Sequence, residues 1–235
     1  FKNWVGRNVG AHNQSGYCIV TLCIKDTGAA TGDVNDRQME FVADLAERYS
    51  FSELRITHEQ NLTLADVRIK DLYEIYKACK NESLATPYLG LLNDIVCCPG
   101  GDFCSLANAK SIPIAEAIQR RFDDFDRLND IGDITLNISG CMNACGHHHV
   151  GNIGIIGVDK KGAEFYQVAL GGDAGREAKL AKILGPAFSQ EDIPDVIEKI
   201  IQIYLEERQQ DEKFIDAYYR LGMAPFKERV YAKAD

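Results

Sequence analysis

Two short cysteine-rich segments contain the residues of this chain whose types and spacing could do chemistry. The first, C-C-P-G-G-D-F-C, covers residues 97–104, and the second, C-M-N-A-C, covers residues 141–145. Four cysteines in these segments are candidate ligands of one centre: Cys98, Cys104, Cys141 and Cys145. The first two have five residues between them, and the last two have three. Four thiolates at these spacings predict either a structural zinc ion or a [4Fe–4S] cluster.

The first segment favours the cluster over zinc. Structural zinc commonly has about two to four residues between paired cysteines, so a gap of five residues is loose for it. A [4Fe–4S] cluster is larger, and hydrogen bonds from the protein to its sulfurs tune its properties. The Pro-Gly-Gly turn at residues 99–101 allows the backbone to approach such a group closely. In the second segment, Asn143 could direct its amide at a ligand or cofactor.

The other four cysteines are interpreted as structural. Cys18 and Cys23 lie within an apolar, β-branched stretch and are predicted to be small buried hydrophobic residues. Cys79 is predicted at the end of a helix. Cys97 adjoins Cys98, and neighbouring side chains of a strand point in opposite directions, so Cys97 is assigned to the core.

The elements around the two segments can bring them together. A strand at residues 133–139 leads directly into the second segment, and a helix at 112–128 precedes that strand. A connection from strand through helix to strand can return the chain to the same edge of a sheet. We therefore expect the two cysteine pairs to lie side by side.

The rest of the chain predicts an α+β protein of two domains, residues 1–82 and 83–235. Before the cysteines the pattern reads β-α-β-β-α, typical of helices that cover one face of a mainly antiparallel sheet. The predicted elements in this part are a strand at 17–25, a helix at 36–49 capped near 31–33, strands at 53–57 and 61–65, and a helix at 69–79. After the cysteines come strands at 152–158 and 164–170 and helices at 191–208 and 212–220.

Composition narrows the class of protein. The net charge of −9 and the pI near 5.1 argue against nucleic-acid binding, which needs a positive surface. No apolar run is long enough to cross a membrane, so we expect a cytoplasmic protein. The chain begins F-K-N-W without an initiator Met, and we expect it to be a piece of a longer polypeptide.

The combined motifs resemble the sirohaem- and [4Fe–4S]-dependent sulfite and nitrite reductase family. The pattern C-P-G-x-x-x-C-x-L-A at 98–107 is followed by S-G-C-x-N-x-C-G at 139–146. Upstream, N-V-G-A-H-N-Q-S-G-Y at 8–17 and R-I-T-H-E-Q-N-L at 55–62 resemble the ferredoxin-like half-domain that precedes the cluster domain in these enzymes. The resemblance covers nearly the whole chain and implies the C-terminal half of such an enzyme.

This resemblance implies a set of site residues. Cys98, Cys104, Cys141 and Cys145 would bind the [4Fe–4S] cluster, and Cys145 would also bridge to the sirohaem iron. Asn143 would meet the sirohaem, and Arg55 would pair with one of its carboxylates. The remaining predicted cofactor contacts are Thr57, Gln60, Asn61 and His148.

The histidines at 147–149 have two interpretations. A zinc site made of three neighbours in sequence is sterically poor, and residues that only shape the loop beside the cluster would suffice. Alternatively, His148 or His149 contacts a carboxylate of the cofactor. The G-H-H-H sequence is most similar to that of bacterial assimilatory sulfite reductase haemoproteins.

The implied reaction is the six-electron reduction of sulfite to sulfide, with reduction of nitrite to ammonia as the alternative. Electrons would come from ferredoxin or an NADPH-dependent flavoprotein. The basic residues that bind substrate belong to the N-terminal half in this family, so no catalytic residue is assigned here and the chain alone is expected to be inactive. Two other classes remain open: an iron–sulfur electron-transfer module without catalysis and a zinc-binding structural module.

Overall fold

In the computed structural model the chain forms two units. The first unit, Phe1–Leu89, is built on a four-stranded antiparallel sheet. Residues 1–175 and 178–232 are described. The elements of the first unit are α1 (Lys2–Asn8), β1 (Val9–Ala11), β2 (Tyr17–Leu22), α2 (Asp36–Tyr49), β3 (Arg55–Ile56), β4 (Leu62–Arg68) and α3 (Leu72–Asn81), with a 3₁₀ turn at Ile69–Asp71. The strand order is β1-β2-β4-β3. Alternate residues of β2 point inward, as the period of a strand requires.

The core of this unit joins the sheet to its helices. Trp4 of α1, Leu45 of α2 and Ile75 of α3 are buried in the same hydrophobic cluster as Val20 and Leu64 of the sheet. These helices bury the apolar stripe that a helical period of 3.6 residues predicts. The unit is therefore the predicted α+β arrangement.

Helix α2 has the predicted bounds but a different cap. Its N-cap is Asn35, whose side chain accepts a hydrogen bond from Gln38 N at 2.8 Å while Gln38 Oε1 accepts one from Asn35 N at 3.1 Å. This capping box satisfies two free N–H groups at the helix start. The predicted cap at residues 31–33 was wrong because those residues belong to the preceding loop.

A mixed five-stranded sheet organises the second unit, Gly90–Asp235. Its elements are β5 (Val96–Cys97), α4 (Ile112–Arg121), α5 (Phe125–Ile131), β6 (Leu136–Ser139), β7 (Ile153–Lys160), β8 (Ala163–Leu170), β9 (Lys182–Ile183), α6 (Ile193–Glu207), α7 (Phe214–Leu221) and α8 (Ala224–Tyr231), with a 3₁₀ turn at Gly100–Asp102. The strand order is β5-β6-β7-β8-β9. The pairings β5–β6 and β6–β7 are parallel, and β7–β8 and β8–β9 are antiparallel. Helix α6 buries its apolar face and packs against α4, α7 and α8.

The predicted helix at 112–128 is in fact two helices. Helix α4 ends at Arg121, and Asp124 caps α5 by accepting a hydrogen bond from Arg127 N at 2.7 Å. Aspartate at this position competes for backbone N–H groups and starts a new helix, which the apolar periodicity did not reveal. The break still allows α4 and α5 to connect β5 to the parallel strand β6.

The other predicted elements are present with shifted ends. The strand predicted at 53–57 has only two residues, Arg55–Ile56, and the strand at 61–65 continues to Arg68. Sequence reasoning missed α1, β1, β9 and α8. Each of these except α8 has seven residues or fewer, so the periodic signal is short.

None of the helices in the described part of the chain is long and apolar enough to cross a membrane.

Candidate iron–sulfur site

The two cysteine segments leave the same edge of the second sheet. Strands β5 and β6 pair in parallel, with Cys97 opposite Ile138. The N–H of Cys98 donates to the Ile138 carbonyl at 3.1 Å, which continues the pairing to the point where the first segment begins. Because parallel strands end at the same edge, the segments at 98–104 and 141–145 start side by side, as the sequence predicted.

Backbone hydrogen bonds tie the two segments together. The carbonyl of Gly140 accepts bonds from Asn108 N at 2.8 Å and Ala109 N at 3.1 Å. Within the first segment, Gly101 N donates to Ala109 O at 2.9 Å, and Cys104 N donates to Gly100 O at 2.9 Å. The loop that carries Cys104 is thus fixed against the residue that precedes Cys141.

Two glycines permit this close approach. A Cβ atom added to Gly140 would lie 2.6 Å from Ala109 O and 2.8 Å from Gly100 Cα. One added to Gly146 would lie 1.9 Å from Ile138 O. Real Cβ atoms do not occur at these distances from backbone atoms, so both positions require glycine for space.

The sulfur of Cys98 already accepts a backbone hydrogen bond. Gly140 N donates to Cys98 Sγ at 3.1 Å, and Ser111 Oγ lies 3.5 Å from the same sulfur. Hydrogen bonds to cysteine sulfur are what a metal-bound thiolate needs, since a thiolate only accepts. This feature of the structure fits the predicted cluster.

The four candidate ligands differ in exposure. Cys98 and Cys141 are buried, Cys104 is half-buried and Cys145 is exposed. Among the residues that the structure describes, no three His, Cys, Asp or Glu side chains converge in the way that a single metal ion requires. A [4Fe–4S] cluster would take one thiolate at each of four separate irons, so its four ligands need not converge on one point.

The histidine loop is anchored to the sheet below it. Asn137 Nδ2 donates to Gly146 O at 3.0 Å and to His147 O at 3.4 Å. The His148 backbone lies against Gly154, where an added Cβ would be 2.1 Å from His148 O. These contacts support the interpretation that the histidines shape the loop.

His148 itself is buried, with only 5% of its surface exposed. Its ring lies 4.2 Å from that of His149, centroid to centroid, and its Nδ1 has no hydrogen-bond partner in the described chain. Burial, together with the neighbouring His149, lowers the pKa of His148 from 6.5 to about 4. The ring is therefore neutral at pH 7.

The candidates predicted upstream follow one another in the first unit: Arg55 lies in β3, and Thr57, Gln60 and Asn61 lie in the turn between β3 and β4. Arg55 is exposed and its Nε donates to Glu53 Oε1 at 2.5 Å. Thr57 Oγ1 accepts from Asn61 N at 3.2 Å, and Gln60 has a positive φ of 57°. Asn61 is buried and its Oδ1 accepts from the N–H of residue 24 at 3.2 Å, so its side chain holds the turn to the neighbouring loop.

The cysteines predicted to be structural are buried: Cys18, Cys23, Cys79 and Cys97. Burial raises the pKa of the Cys79 thiol to about 12, so it stays protonated and unreactive. Cys97 lies in β5 and its Sγ donates to Cys98 O at 3.2 Å.

Two known protein families match parts of this chain. The family described as "Nitrite and sulphite reductase 4Fe-4S domain" matches residues 91–235, more than half of the chain. The chain belongs to this family. The family described as "Nitrite/Sulfite reductase ferredoxin-like half domain" matches residues 11–82. These matches confirm the predicted resemblance, and they confirm sirohaem and a [4Fe–4S] cluster as the family's cofactors.

Two curated relatives in the reductase family have different substrates in their names. The "Sulfite reductase [ferredoxin] 2" of Mycolicibacterium paratuberculosis is 28% identical over 193 residues, covering 78% of this chain and 35% of the relative. The chloroplastic "Ferredoxin--nitrite reductase" of Spinacia oleracea is 28% identical over 214 residues, covering 85% of this chain and 34% of the relative. The chain therefore spans about a third of the length of these relatives.

A solved structure has the same fold. The structure of the Mycobacterium tuberculosis NirA protein matches with a TM-score of 0.75 at 24% identity, covering 94% of this chain and 41% of that one. This likeness and the two family matches together confirm the predicted fold class, an α+β ferredoxin-like unit followed by an iron–sulfur domain.

Sequence reasoning missed two residues of the site. Ser111, the residue before the helix predicted at 112–128, was assigned no role, although it contacts the sulfur of Cys98. Asn137 was read as part of a strand, although it holds the histidine loop. In the sequence, Asn137 is one of the alternating polar residues of the predicted strand D-I-T-L-N-I-S, so nothing there distinguished it from a surface residue.

Proposed function

We propose that this chain is the C-terminal part of a sirohaem- and [4Fe–4S]-dependent reductase that reduces sulfite to sulfide. The observation that carries the proposal is the pairing of the two cysteine segments at the ends of β5 and β6, fixed by hydrogen bonds to Gly140. The [4Fe–4S] cluster and sirohaem would store and pass on the electrons that this reduction consumes.

Cys98, Cys104, Cys141 and Cys145 would hold the cluster, one thiolate at each iron. The backbone of this chain prepares Cys98 for that role, because Gly140 N already donates to its sulfur at 3.1 Å. A loop fixed before the metal arrives loses little conformational freedom on binding it. The ligand set is thus supported by how rigidly the two segments are held.

Cys145 would be the ligand shared with sirohaem. It is exposed whereas Cys98 and Cys141 are buried, so its sulfur can reach a second group outside the loops. Asn143 beside it is also exposed. Large apolar side chains that flank the ligands in sequence, Phe103, Leu106 and Met142, are between 71% and 79% exposed and would be covered by a bound cofactor or by further protein.

Strand β3, which carries Arg55, and the turn after it, which carries Thr57, Gln60 and Asn61, would contribute to the cofactor pocket. The guanidinium of Arg55 is exposed and pairs with a surface carboxylate, Glu53. An exposed ion pair of this kind contributes only about 0–1 kcal/mol, so Arg55 can exchange this partner for a cofactor carboxylate. Asn61 would act through the shape of the turn, because its side chain is already bonded to the backbone.

Substrate-binding lysines and arginines would come from further protein outside this chain, and the chain alone would not turn over sulfite. Nitrite is the second candidate substrate. It is supported by the similarity to the spinach nitrite reductase, which is 28% identical to this chain, as is the mycobacterial sulfite reductase. Ferredoxin is the proposed donor, since both of these relatives carry it in their names. An NADPH-dependent flavoprotein is the alternative donor.

The ligand assignment is tested with two neighbouring cysteines. The chain is loaded anaerobically with iron and sulfide, and both are quantified in wild type, C98A and C97A. Both cysteines are buried, but only Cys98 is assigned to the cluster. C98A should lose iron and sulfide, whereas C97A should keep the wild-type content. Full loading of C98A would contradict the assignment.

A second experiment separates the classes of function. Visible spectra of the full-length protein that contains this chain should show the strong bands of sirohaem, and C145S should lose them together with the cluster. Turnover with a reduced viologen dye is then compared on sulfite and nitrite. A spectrum of iron–sulfur absorption alone would favour an electron-transfer module, and faster turnover of nitrite would favour the second substrate.

A further inference from the structure

Ser111 lies between the two cysteine segments, and its hydroxyl faces a sulfur. The residue is fully buried, with 0% of its surface exposed, and its Oγ is 3.5 Å from Cys98 Sγ. Ser111 is the N-cap residue of α4, a position at which serine usually accepts a hydrogen bond from the first turn of the helix. Within the described chain its side chain makes no such cap bond. The hydroxyl is therefore directed at the sulfur and away from the helix.

Gly100 of the first segment and Gly140, which precedes the second, lie close to Ser111. A Cβ on Gly100 would lie 2.4 Å from Ser111 N and 2.5 Å from Ser111 Oγ. A Cβ on Gly140 would lie 3.0 Å from Ser111 Oγ. Because the backbone at Gly100 and at Gly140 lies against the hydroxyl, Ser111 has little room to rotate away from Cys98.

The direction of the hydrogen bond follows from the chemistry of the partner. A thiolate bound to metal has no proton to donate, so Ser111 must donate its O–H to Cys98 Sγ. Gly140 N donates to the same sulfur at 3.1 Å. A metal-bound Cys98 sulfur would thus receive two hydrogen bonds, at a residue with only 8% of its surface exposed.

We propose that Ser111 tunes the reduction potential of the cluster through its hydrogen bond to Cys98. This inference rests on the proposed function. Reduction adds one electron from a low-potential donor to the cluster, with no bond made or broken, and the added negative charge is shared with the thiolates. A donated O–H stabilises the more negative state more strongly, so it raises the potential. Ser111 acts through Cys98 and is a positioning residue.

The test compares the potential of the cluster in S111A and in wild type. Both full chains are loaded with iron and sulfide, and the fraction reduced is followed by electron paramagnetic resonance in a titration with dithionite and mediator dyes. We expect S111A to shift the one-electron equilibrium about three- to tenfold toward the oxidised cluster, where tenfold corresponds to about 59 mV. S111T keeps a hydroxyl and should stay near the wild-type potential.

A matched control is S50A in the first unit. Ser50 is also fully buried, and its Oγ accepts a hydrogen bond from Asp66 N at 3.2 Å. S50A loses a buried hydroxyl that contacts no cysteine sulfur in the described structure, so the potential should not change. If the loss of any buried hydroxyl changed the reduction potential, S50A and S111A would show the same shift, and this result would overturn the proposal.

The remaining outcomes separate this inference from the proposed function. If wild type binds no iron and sulfide, the proposed function and this inference both fail. If wild type loads fully and S111A has the wild-type potential, only the role of Ser111 is refuted. If S111A cannot hold the cluster, S111G replaces it, and equal potentials in S111G and S111T would refute the role in the same way.

Discussion

Gly146 is the position at which a single methyl group should damage both the fold and the site. In G146A the new Cβ would lie 1.9 Å from Ile138 O and 3.2 Å from Cys98 N. These two backbone atoms are hydrogen-bonded to each other at 3.1 Å, so neither can rotate away. To reach even 3.0 Å from the carbonyl oxygen, the loop must move by about 1.1 Å. The strain thus falls on the join between β5 and β6.

The energetic cost follows from what this movement breaks. Overpacking a tight interior costs about 1–3 kcal/mol. Gly146 N donates to Ser139 Oγ at 3.1 Å and Gly146 O accepts from Asn137 Nδ2 at 3.0 Å, and losing each buried bond costs about 1 kcal/mol. We therefore expect G146A to lower the free energy of unfolding by about 3–5 kcal/mol, a large part of the stability of an ordinary domain.

Urea unfolding followed by circular dichroism measures this loss, and G6A is the matched control. Gly6 lies within α1, and a Cβ there has nothing within 4 Å. Alanine is favoured over glycine in a helix by up to about 1 kcal/mol, so G6A should unfold at the same or a higher urea concentration than wild type. G146A should also fail to load iron and sulfide. A G146A protein within about 0.5 kcal/mol of wild type would refute the close approach.

Two further predictions concern the loop after Cys145. Since His148 has a folded pKa of about 4 against 6.5 for the exposed side chain, the unfolded chain binds a proton between these values that the folded chain does not. Stability should therefore fall by up to about 3 kcal/mol as the pH falls from 6.5 to 4, and urea midpoints at pH 7 and pH 5 should differ less in H148F. N137A removes the donor to Gly146 O and His147 O and should cost about 1–3 kcal/mol in urea unfolding. An unchanged midpoint in N137A would show that the loop does not depend on these bonds.

Much of the fold could be predicted because its elements bury regular stripes. Helix α2 has the predicted bounds, since its apolar spacing persists over fourteen residues. The break between α4 and α5 could not be predicted from periodicity, because the apolar pattern continues through it. Only the N-cap formed by Asp124 marks the start of a second helix. The short strand β5 was not assigned bounds for a related reason, because its two residues are placed by pairing with β6.

The features of the site that could be predicted are local in the sequence, and those that could not be predicted depend on contacts between distant residues. Cysteine spacing and the Pro-Gly-Gly turn are local, and they indicated the two loops and the ligands to be tested. The contact between Ser111 and Cys98 joins residues thirteen apart, and the bond from Gly140 to Cys98 joins residues forty-two apart. Such contacts depend on how the strands pair, so no spacing rule predicts them. The burial of His148 is likewise decided by the sheet beneath it, at Gly154.

The graded exposure of the cysteines gives this site two chemically different sides. On the side of Cys98, buried donors stabilise negative charge on sulfur, and the proposed effect is on the potential at which the cluster accepts an electron. On the side of Cys145, the sulfur is exposed and can contact a second group. Because the two sides lie on separate segments, a change at Ser111 should alter the potential without removing a ligand, whereas C145S should remove a ligand. S111A therefore tests the tuning of an intact cluster, whereas C145S tests whether Cys145 is needed to hold the cluster and the sirohaem.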